Sequence, residues 1–308
     1  MQNVLTLIVN PDGPGLDDTI VDAARAALAD SGAAANRGEA LAPGLAWDIA
    51  FSRISPERGA AAVRDALGDA AVDVVAQPVE GRRKKLLVAD MESTIIENEM
   101  LDELADFIGI RERIAEITQG AMNGELDFDA ALSERVGLLK GLPVETLDRA
   151  AERITVTPGA RALVRTMRTH GAYTALVSGG FRFFTRRIRE NLGFDFDQAN
   201  ELEIRDGKLT GAVKQPTLSR EAKLEALRRL AGERRLPLSA TLAVGDGAND
   251  LPMLLAAGLG VAYHAKPSVA PAARARIEHG DLTALLFAQG YRAGEIKAGE
   301  IKAGEIKD

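Results

Sequence analysis

Three polar clusters each follow a short run of apolar residues. Leu86–Ala89 leads into Asp90-Met91-Glu92-Ser93-Thr94, Tyr173–Val177 into Ser178-Gly179-Gly180, and Thr241–Val244 into Gly245-Asp246-Gly247-Ala248-Asn249-Asp250. A carboxylate at the end of a buried strand is costly unless something uses it. If the three runs are parallel strands, the clusters meet at one edge of a sheet, where open α/β sheets bind ligands. That edge then holds four carboxylates, Asp90, Glu92, Asp246 and Asp250, beside two glycine-rich turns. Such crowding is unfavourable without a cation among the charges. All the donors are oxygens and the chain has no cysteine, a set that selects a hard ion, above all Mg²⁺. Ser178 and the backbone N–H groups of its glycines can cradle an anion at a helix N-terminus. A cation, an anion cradle and a carboxylate nucleophile are the parts of phosphoryl transfer. Singly, each cluster reads equally as a cap or a turn; their succession after three apolar runs is what points to chemistry.

The elements that must position these clusters follow from periodicity. From Lys85 onward, buried strands alternate with helices (158–170, 182–192, 219–231 and 249–257), and the last strand is Gly260–Tyr263. This predicts an α/β fold with a doubly wound, mainly parallel sheet. Residues 98–153 are helical without strands and read as a cap inserted into that fold; residues 200–213 read as a hairpin turning at Asp206-Gly207. Residues 1–80 interleave strands (Val4–Val9, Ala46–Ile54, Ala71–Val75) with helices (Leu16–Ala29, Pro56–Leu67), predicting a small α+β unit of ferredoxin-like or ACT-like type. The run Glu80-Gly81-Arg82-Arg83-Lys84-Lys85 reads as a solvated linker at the boundary. The expected organisation is thus residues 1–80, residues 81–292, and a disordered tail at 293–308 in which AGEIK occurs three times.

Composition narrows the function classes. The chain has 308 residues, 46% of them hydrophobic and 4% aromatic, so a sizeable core must be mostly aliphatic. A net charge of −7 argues against a general nucleic-acid binder. No membrane span is expected, and the N-terminus lacks the basic and apolar regions of a secretory signal. With no cysteine, these features fit a cytoplasmic enzyme. His170, His264 and His279 lack ligand-like spacing and read as ordinary residues.

Asp90-x-Glu92-x-Thr94, Ser178-Gly-Gly, Lys223 and Gly245-Asp246-Gly247-x-Asn249-Asp250 resemble the four motifs of the haloacid dehalogenase-like phosphatases. Glu99, AMNGELDF at 121–128, ERVGLLKGLP at 134–143 and VGDGANDLPML at 244–254 bring the resemblance closer to the bacterial phosphoserine phosphatase branch. The resemblance implies a Rossmann-like core, Mg²⁺, and hydrolysis of O-phospho-L-serine, the last step of serine biosynthesis, through an aspartyl-phosphate. It implies Asp90 as nucleophile and, with the backbone carbonyl of Glu92 and the side chains of Asp246 and Asp250, as the metal site. It implies Lys223 as the neutralising cation, Ser178, Gly179 and Asn249 at the phosphoryl group, Glu99 and Arg135 as readers of the serine ammonium and carboxylate, and Met122 and Phe128 as apolar walls. A zwitterionic substrate needs one acid and one base, and Arg suits a carboxylate bidentately. The N-terminal unit could bind an amino acid or support a homodimer; the expected partner is a small molecule, not nucleic acid or membrane.

Glu92 departs from the pattern, which has Asp there as general acid and base. The intrinsic pKa values are nearly equal, about 4.3 against 3.9, so the difference is reach. One extra C–C bond displaces the carboxylate by about 1 Å, and misplacement of that size can cost on the order of 10²-fold. Three alternatives follow: a phosphotransferase to an alcohol, as in a related Asp-x-Glu branch; a phosphatase for another small phosphomonoester; and an impaired enzyme retained as a serine or phosphoserine-binding regulator.

Overall fold

The computed structural model describes the chain except residues 123–127, Arg220, Ser268 and 298–308, and describes backbone alone at 119–122, 128 and 129. The N-terminal unit runs β1 (Asn3–Ile8), α1 (Asp18–Asp30), β2 (Ala34–Ala35), β3 (Glu39–Ala42), β4 (Ala46–Ser52), α2 (Pro56–Leu67) and β5 (Asp73–Pro78). Its antiparallel sheet has the order β2-β4-β1-β5, with β3 also on β4. This is the ferredoxin-like arrangement the alternation predicts. Leu5, Leu7 and Val9 pack against Val21, Ala24 and Leu28 of α1 and Ala60 and Val63 of α2, while the period of two puts Ile8 on the opposite face. Asp17 caps α1 by accepting the Ile20 N–H at 3.0 Å, and Ser55 caps α2 with Pro56 in its first turn. The last strand lies two residues later than the Ala71–Val75 expected.

The larger unit continues with β6 (Leu86–Ala89), then α3 (Met100–Asp106), α4 (Arg111–Met122), α5 (Phe128–Gly137) and α6 (Glu145–Ala151). These four helices are the cap. Next come α7 (Ala160–Thr169), β7 (Tyr173–Phe181), α8 (Arg182–Leu192), β8 (Phe196–Asn200), β9 (Leu202–Arg205) and β10 (Lys208–Val213). The chain then runs α9 (Ala222–Glu233), β11 (Thr241–Gly245), α10 (Leu251–Ala256), β12 (Leu259–Tyr263), β13 (Ala275–Ile277) and α11 (Ala284–Ala288). The strands β9 and β10 form the expected hairpin, with Asp206 and Gly207 both left-handed at φ 50° and 71°. The hairpin also bonds the cap, Leu209 N–H to Leu142 O at 2.9 Å and Gly141 N–H to Leu209 O at 2.8 Å.

A six-stranded parallel sheet, order β13-β12-β11-β6-β7-β8, is the frame of the site. Strand β6 is buried on both faces: Leu87 and Ala89 lie in one core, and Leu86 and Val88 in the other with Leu227 and Leu230 of α9 and Met253 and Leu254 of α10. From β6 the chain builds outward through β7 and β8, and from β11 it builds the other way through β12 and β13. The direction therefore switches between β6 and β11, the position at which such sheets open a ligand crevice. Two edge strands, β8 and β13, were not anticipated; FDQAN in β8 is half polar and lacks the apolar signature of the inner strands.

Two expectations are corrected. The segment Glu80–Lys85 is not a solvated linker. Arg82 pairs with both oxygens of Asp48 at 2.5 and 2.7 Å and donates to Ala288 O at 2.7 Å and Phe287 O at 3.1 Å, so it satisfies the last carbonyls of α11. The Lys84 side chain is buried and donates to Gly81 O and Ser239 O. Gln77 adds a bond to Ala288 O at 2.7 Å, and Asp73 accepts backbone N–H groups of Glu278, His279 and Gly280. The tail is not disordered from Ala293. Its first repeat forms a 3₁₀ turn at Ala293–Glu295, Glu295 pairs with Arg83 at 2.8 Å, Ile296 packs on the core, and Lys297 N–H donates to Thr166 Oγ at 2.8 Å. The remaining repeats lie outside the described residues.

Candidate active site

The Asp90 N–H continues the parallel ladder by donating to Val244 O at 3.0 Å, which delivers its carboxylate to the switch crevice next to the β11 cluster. Lys223, on the first turn of α9, is buried and reaches two carboxylates: its Nζ lies 2.8 Å from Asp90 Oδ1 and 2.6 Å from Asp250 Oδ1. Asp250 Oδ2 accepts the Gly247 N–H at 3.0 Å, which ties the β11–α10 loop closed. Gly245 is required for that closure, since a Cβ there would sit 2.3 Å from Asp250 Cγ. Asp246 Oδ1 accepts the Thr94 hydroxyl at 3.2 Å, and Lys266 Nζ lies 3.9 Å from its Oδ2.

Carboxylate oxygens of Asp90, Asp246 and Asp250 lie within 4.8 Å of one another, and all three residues are buried. Burial raises the Asp90 carboxyl above its ordinary value against the pull of Lys223, and the Asp250 and Asp246 charges add to the rise. Burial and Asp250 push Asp246 up to about 6. Burial disfavours charge on Lys223, but Asp250 and Asp90 outweigh it and hold its ammonium above the ordinary value. Lys223 thus pairs with two of the three buried acids, and the half-exposed Lys266 stands 3.9 Å from the third. The remaining negative charge and the all-oxygen donor set fit a hard divalent cation. Both oxygens of Asp250 already have protein partners, so it fits a supporting place better than a leading one.

The expected glycine turn after β7 is different in detail. The backbone stays extended through Ser178-Gly179-Gly180 to Phe181, and α8 begins at Arg182. Ser178 is buried, and its Oγ accepts the Gly180 N–H at 2.9 Å. Asn200 Nδ2 donates to Gly179 O at 2.8 Å and fixes the second edge of the cradle.

Glu92 is half-buried and held at both oxygens. Its Oε1 accepts the Met100 N–H, the first of α3, at 2.9 Å, and its Oε2 lies 3.5 Å from Ser178 Oγ. A Cβ at residue 180 would come within 2.6 Å of that Oε2, so the glycine makes room for the carboxylate. Burial and the Glu99 charge push its carboxyl up to about 7, against the Met100 N–H, Lys223 and Arg135. Arg135, on α5, donates to Ala131 O at 3.1 Å and Thr118 Oγ at 3.3 Å; burial lowers its pKa while Glu92 and Glu99 oppose that.

A cavity of about 160 Å³ gathers Asp90, Glu92, Glu99, Arg135, Gly179, Lys223, Asp246 and Asn249 on one wall system; Ser178 lines a smaller pocket that shares Gly179, Lys223 and Asn249 with it, and Asp250 is reached through Lys223. The size suits a small polar molecule. Sequence reading gave no role to Leu101, Leu132, Phe181 and Lys266, which also line it. Lys266 had a signal: it follows β12, hence opens the loop at the same sheet edge. Leu101 and Leu132 are apolar cap walls. Met122 and Phe128 were expected in that position, and their side chains lie outside the described residues.

The haloacid dehalogenase-like hydrolase family model matches residues 87–255. A phosphoserine phosphatase of Streptomyces coelicolor is 42% identical over 276 residues, 88% of this chain and 67% of that protein. One of Methanocaldococcus jannaschii is 43% identical over 205 residues, 67% of this chain and 97% of that protein. The crystal structure of a probable phosphoserine phosphatase from Vibrio cholerae superposes with a TM-score of 0.77 at 31% identity, covering 98% of this chain and 90% of that one. The chain belongs to the haloacid dehalogenase-like hydrolases, and in sequence it is similar to phosphoserine phosphatases among them.

Proposed function

We propose that the chain is a Mg²⁺-dependent phosphatase that hydrolyses O-phospho-L-serine through an aspartyl-phosphate on Asp90, the last step of serine biosynthesis. The observation that carries this reading is the buried Asp90–Lys223–Asp250 chain, with Asp246 beside it, on the floor of a cavity whose wall holds Glu99 and Arg135. An acid and a base on the wall match the ammonium and carboxylate of an amino acid, and Gly179 and Gly180 of the anion cradle line the same cavity.

Asp90, Asp246 and the Glu92 backbone carbonyl would hold Mg²⁺, with Asp250 in support; the ion supplies charge neutralisation at the phosphoryl oxygens. Asp90 attacks phosphorus as the P–O bond to serine breaks. Lys223 favours the ionised form of Asp90 against the effect of burial and stabilises the charge on the transferring group. Ser178 and the Gly179 N–H hold two phosphoryl oxygens in line. Protonated Glu92 gives its proton to the departing serine oxygen. The carboxylate then takes a proton from water, which cleaves the aspartyl-phosphate and restores both groups. A carboxyl near 7 is suited to both halves of that cycle. Incubation with L-phosphoserine and Mg²⁺ should release phosphate, and Asp90→Asn should abolish release. A chain that releases none, or a variant with an unchanged rate, sinks the reading.

A further inference from the structure

We infer that Ser93 is a specificity-determining positioning residue: it aims the Glu99 carboxylate at the substrate ammonium. The inference rests on the phosphoserine reading above and adds a residue to it. Three neighbouring residues after the nucleophile share out the crevice. Glu92 reaches the start of α3 and Ser178, Thr94 reaches Asp246, and Ser93 donates from its hydroxyl to Glu99 Oε1 at 2.7 Å.

The backbone is shaped for that contact. Met91 O accepts the N–H groups of Ile95 and Ile96 at 2.8 and 2.9 Å, and this tight turn puts Ser93 in the left-handed region at φ 54°. A non-glycine residue seldom stays there without compensation, and such strain collects at functional sites. Glycine would relieve it but would carry no hydroxyl.

Glu99 needs outside help to hold a pose. It stands at the N-cap of α3, yet its side chain makes no capping bond and is exposed. An exposed glutamate loses rotamer freedom only if something fixes it. The Ser93 bond fixes Oε1 and leaves Oε2 for a cation in the cavity. Because Ser93 touches Glu99 and not the reacting atoms, it should act on recognition of the amine.

The test compares O-phospho-L-serine with its desamino analogue, 3-phosphooxypropionate, which keeps the phosphate and carboxylate. The measured quantity is the ratio of kcat/KM for the two esters. Ser93→Ala should lower that ratio roughly tenfold, the loss expected of one hydrogen bond to a charged group. Ser93→Gly should lower it similarly although it removes the strain. In a Glu99→Gln background the same Ser93→Ala change should move the ratio less than about twofold, since coupled residues show their interaction in a double-mutant cycle. An unchanged ratio in Ser93→Gly, or equal losses in both backgrounds, overturns the inference while leaving the phosphatase reading intact. Failure of the unaltered chain to hydrolyse either ester with Mg²⁺ overturns the phosphatase reading itself.

Discussion

Changing Glu92→Gln separates what this carboxyl does for catalysis from what it costs the fold. The substitution keeps the length of the arm and an oxygen to accept the Met100 N–H, now 2.9 Å from Oε1. It removes only the ionisable proton. Burial first, and the neighbouring Glu99 second, raise the Glu92 carboxyl from 4.5 to about 7. A shift of that size corresponds to roughly 3 kcal/mol against the ionised form. Glu92 retains some contact with solvent, so about 2 kcal/mol is the working figure. The sign follows from proton counting. Below the unfolded value the group is neutral in both states and has no effect. Between the unfolded value and the folded value of about 7 the unfolded chain releases its proton and the folded chain keeps it, so the unaltered protein loses stability as pH rises. Above that the penalty is constant. Glutamine never incurs it.

The variant should therefore match the unaltered protein near pH 4 and exceed it increasingly up to pH 8. Thermal melts of the metal-free protein should show a gap growing to several degrees, at about 2–4 °C per kcal/mol for a chain of this size class. Phosphate release should fall by on the order of 10²–10⁴-fold, the worth of a general acid and base. More stable at pH 8 and nearly inactive is the paired outcome. A stability gap that does not grow with pH refutes the environment assigned to Glu92, and a rate within about tenfold of the unaltered chain refutes its assignment as proton shuttle.

Three further outcomes are expected. Lys223→Met leaves the Asp90 and Asp250 carboxylates without the ammonium now 2.8 and 2.6 Å away; it should abolish phosphate release and lower the metal-free stability by about 3–5 kcal/mol in denaturant unfolding. Mg²⁺ should stabilise the unaltered chain in a concentration-dependent way, by about 3 kcal/mol at a hundred times its Kd and with a corresponding rise in melting temperature, and Asp246→Asn should blunt the response. Arg82→Ala strands Asp48 and the end carbonyls of α11; it should cost about 3–5 kcal/mol and speed amide exchange in β5, seen by mass spectrometry, while an unchanged melt would show that the Arg82 contacts do not hold the two units together.

The parts of the molecule that were readable from sequence share one property: their meaning was local. An aliphatic run buried on both faces has no structural use for an acid at its end, so Asp90 and Asp246 marked the crevice before any topology was known. Asp206-Gly207 marked its hairpin for the same reason, because only certain residues accept two successive left-handed conformations. What was misread depended on a distant partner. Arg82 and Lys84 look like solvated charge in a basic run; their acceptors lie at Asp48, Ala288 and Ser239, up to 206 positions away. The tail repeat looks like low complexity, yet its first copy supplies a glutamate to Arg83 and a backbone donor to Thr166.

Glu92 belongs to both kinds. Its neighbours marked it as catalytic, and its extra carbon raised the question of reach. Reach, however, is set by what receives the carboxylate. Met100 N–H at the start of the cap and the bare Cα of Gly180 receive it here, with Ser178 Oγ at 3.5 Å. The longer arm is therefore anchored between the cap helix and the phosphate cradle instead of hanging free. An anchored arm predicts that shortening it is not a repair: Glu92→Asp withdraws the oxygen by about 1 Å and forfeits the α3 contact, so its activity should fall. A phosphate-release assay showing a large gain for Glu92→Asp would mean that the anchor restrains the shuttle rather than placing it.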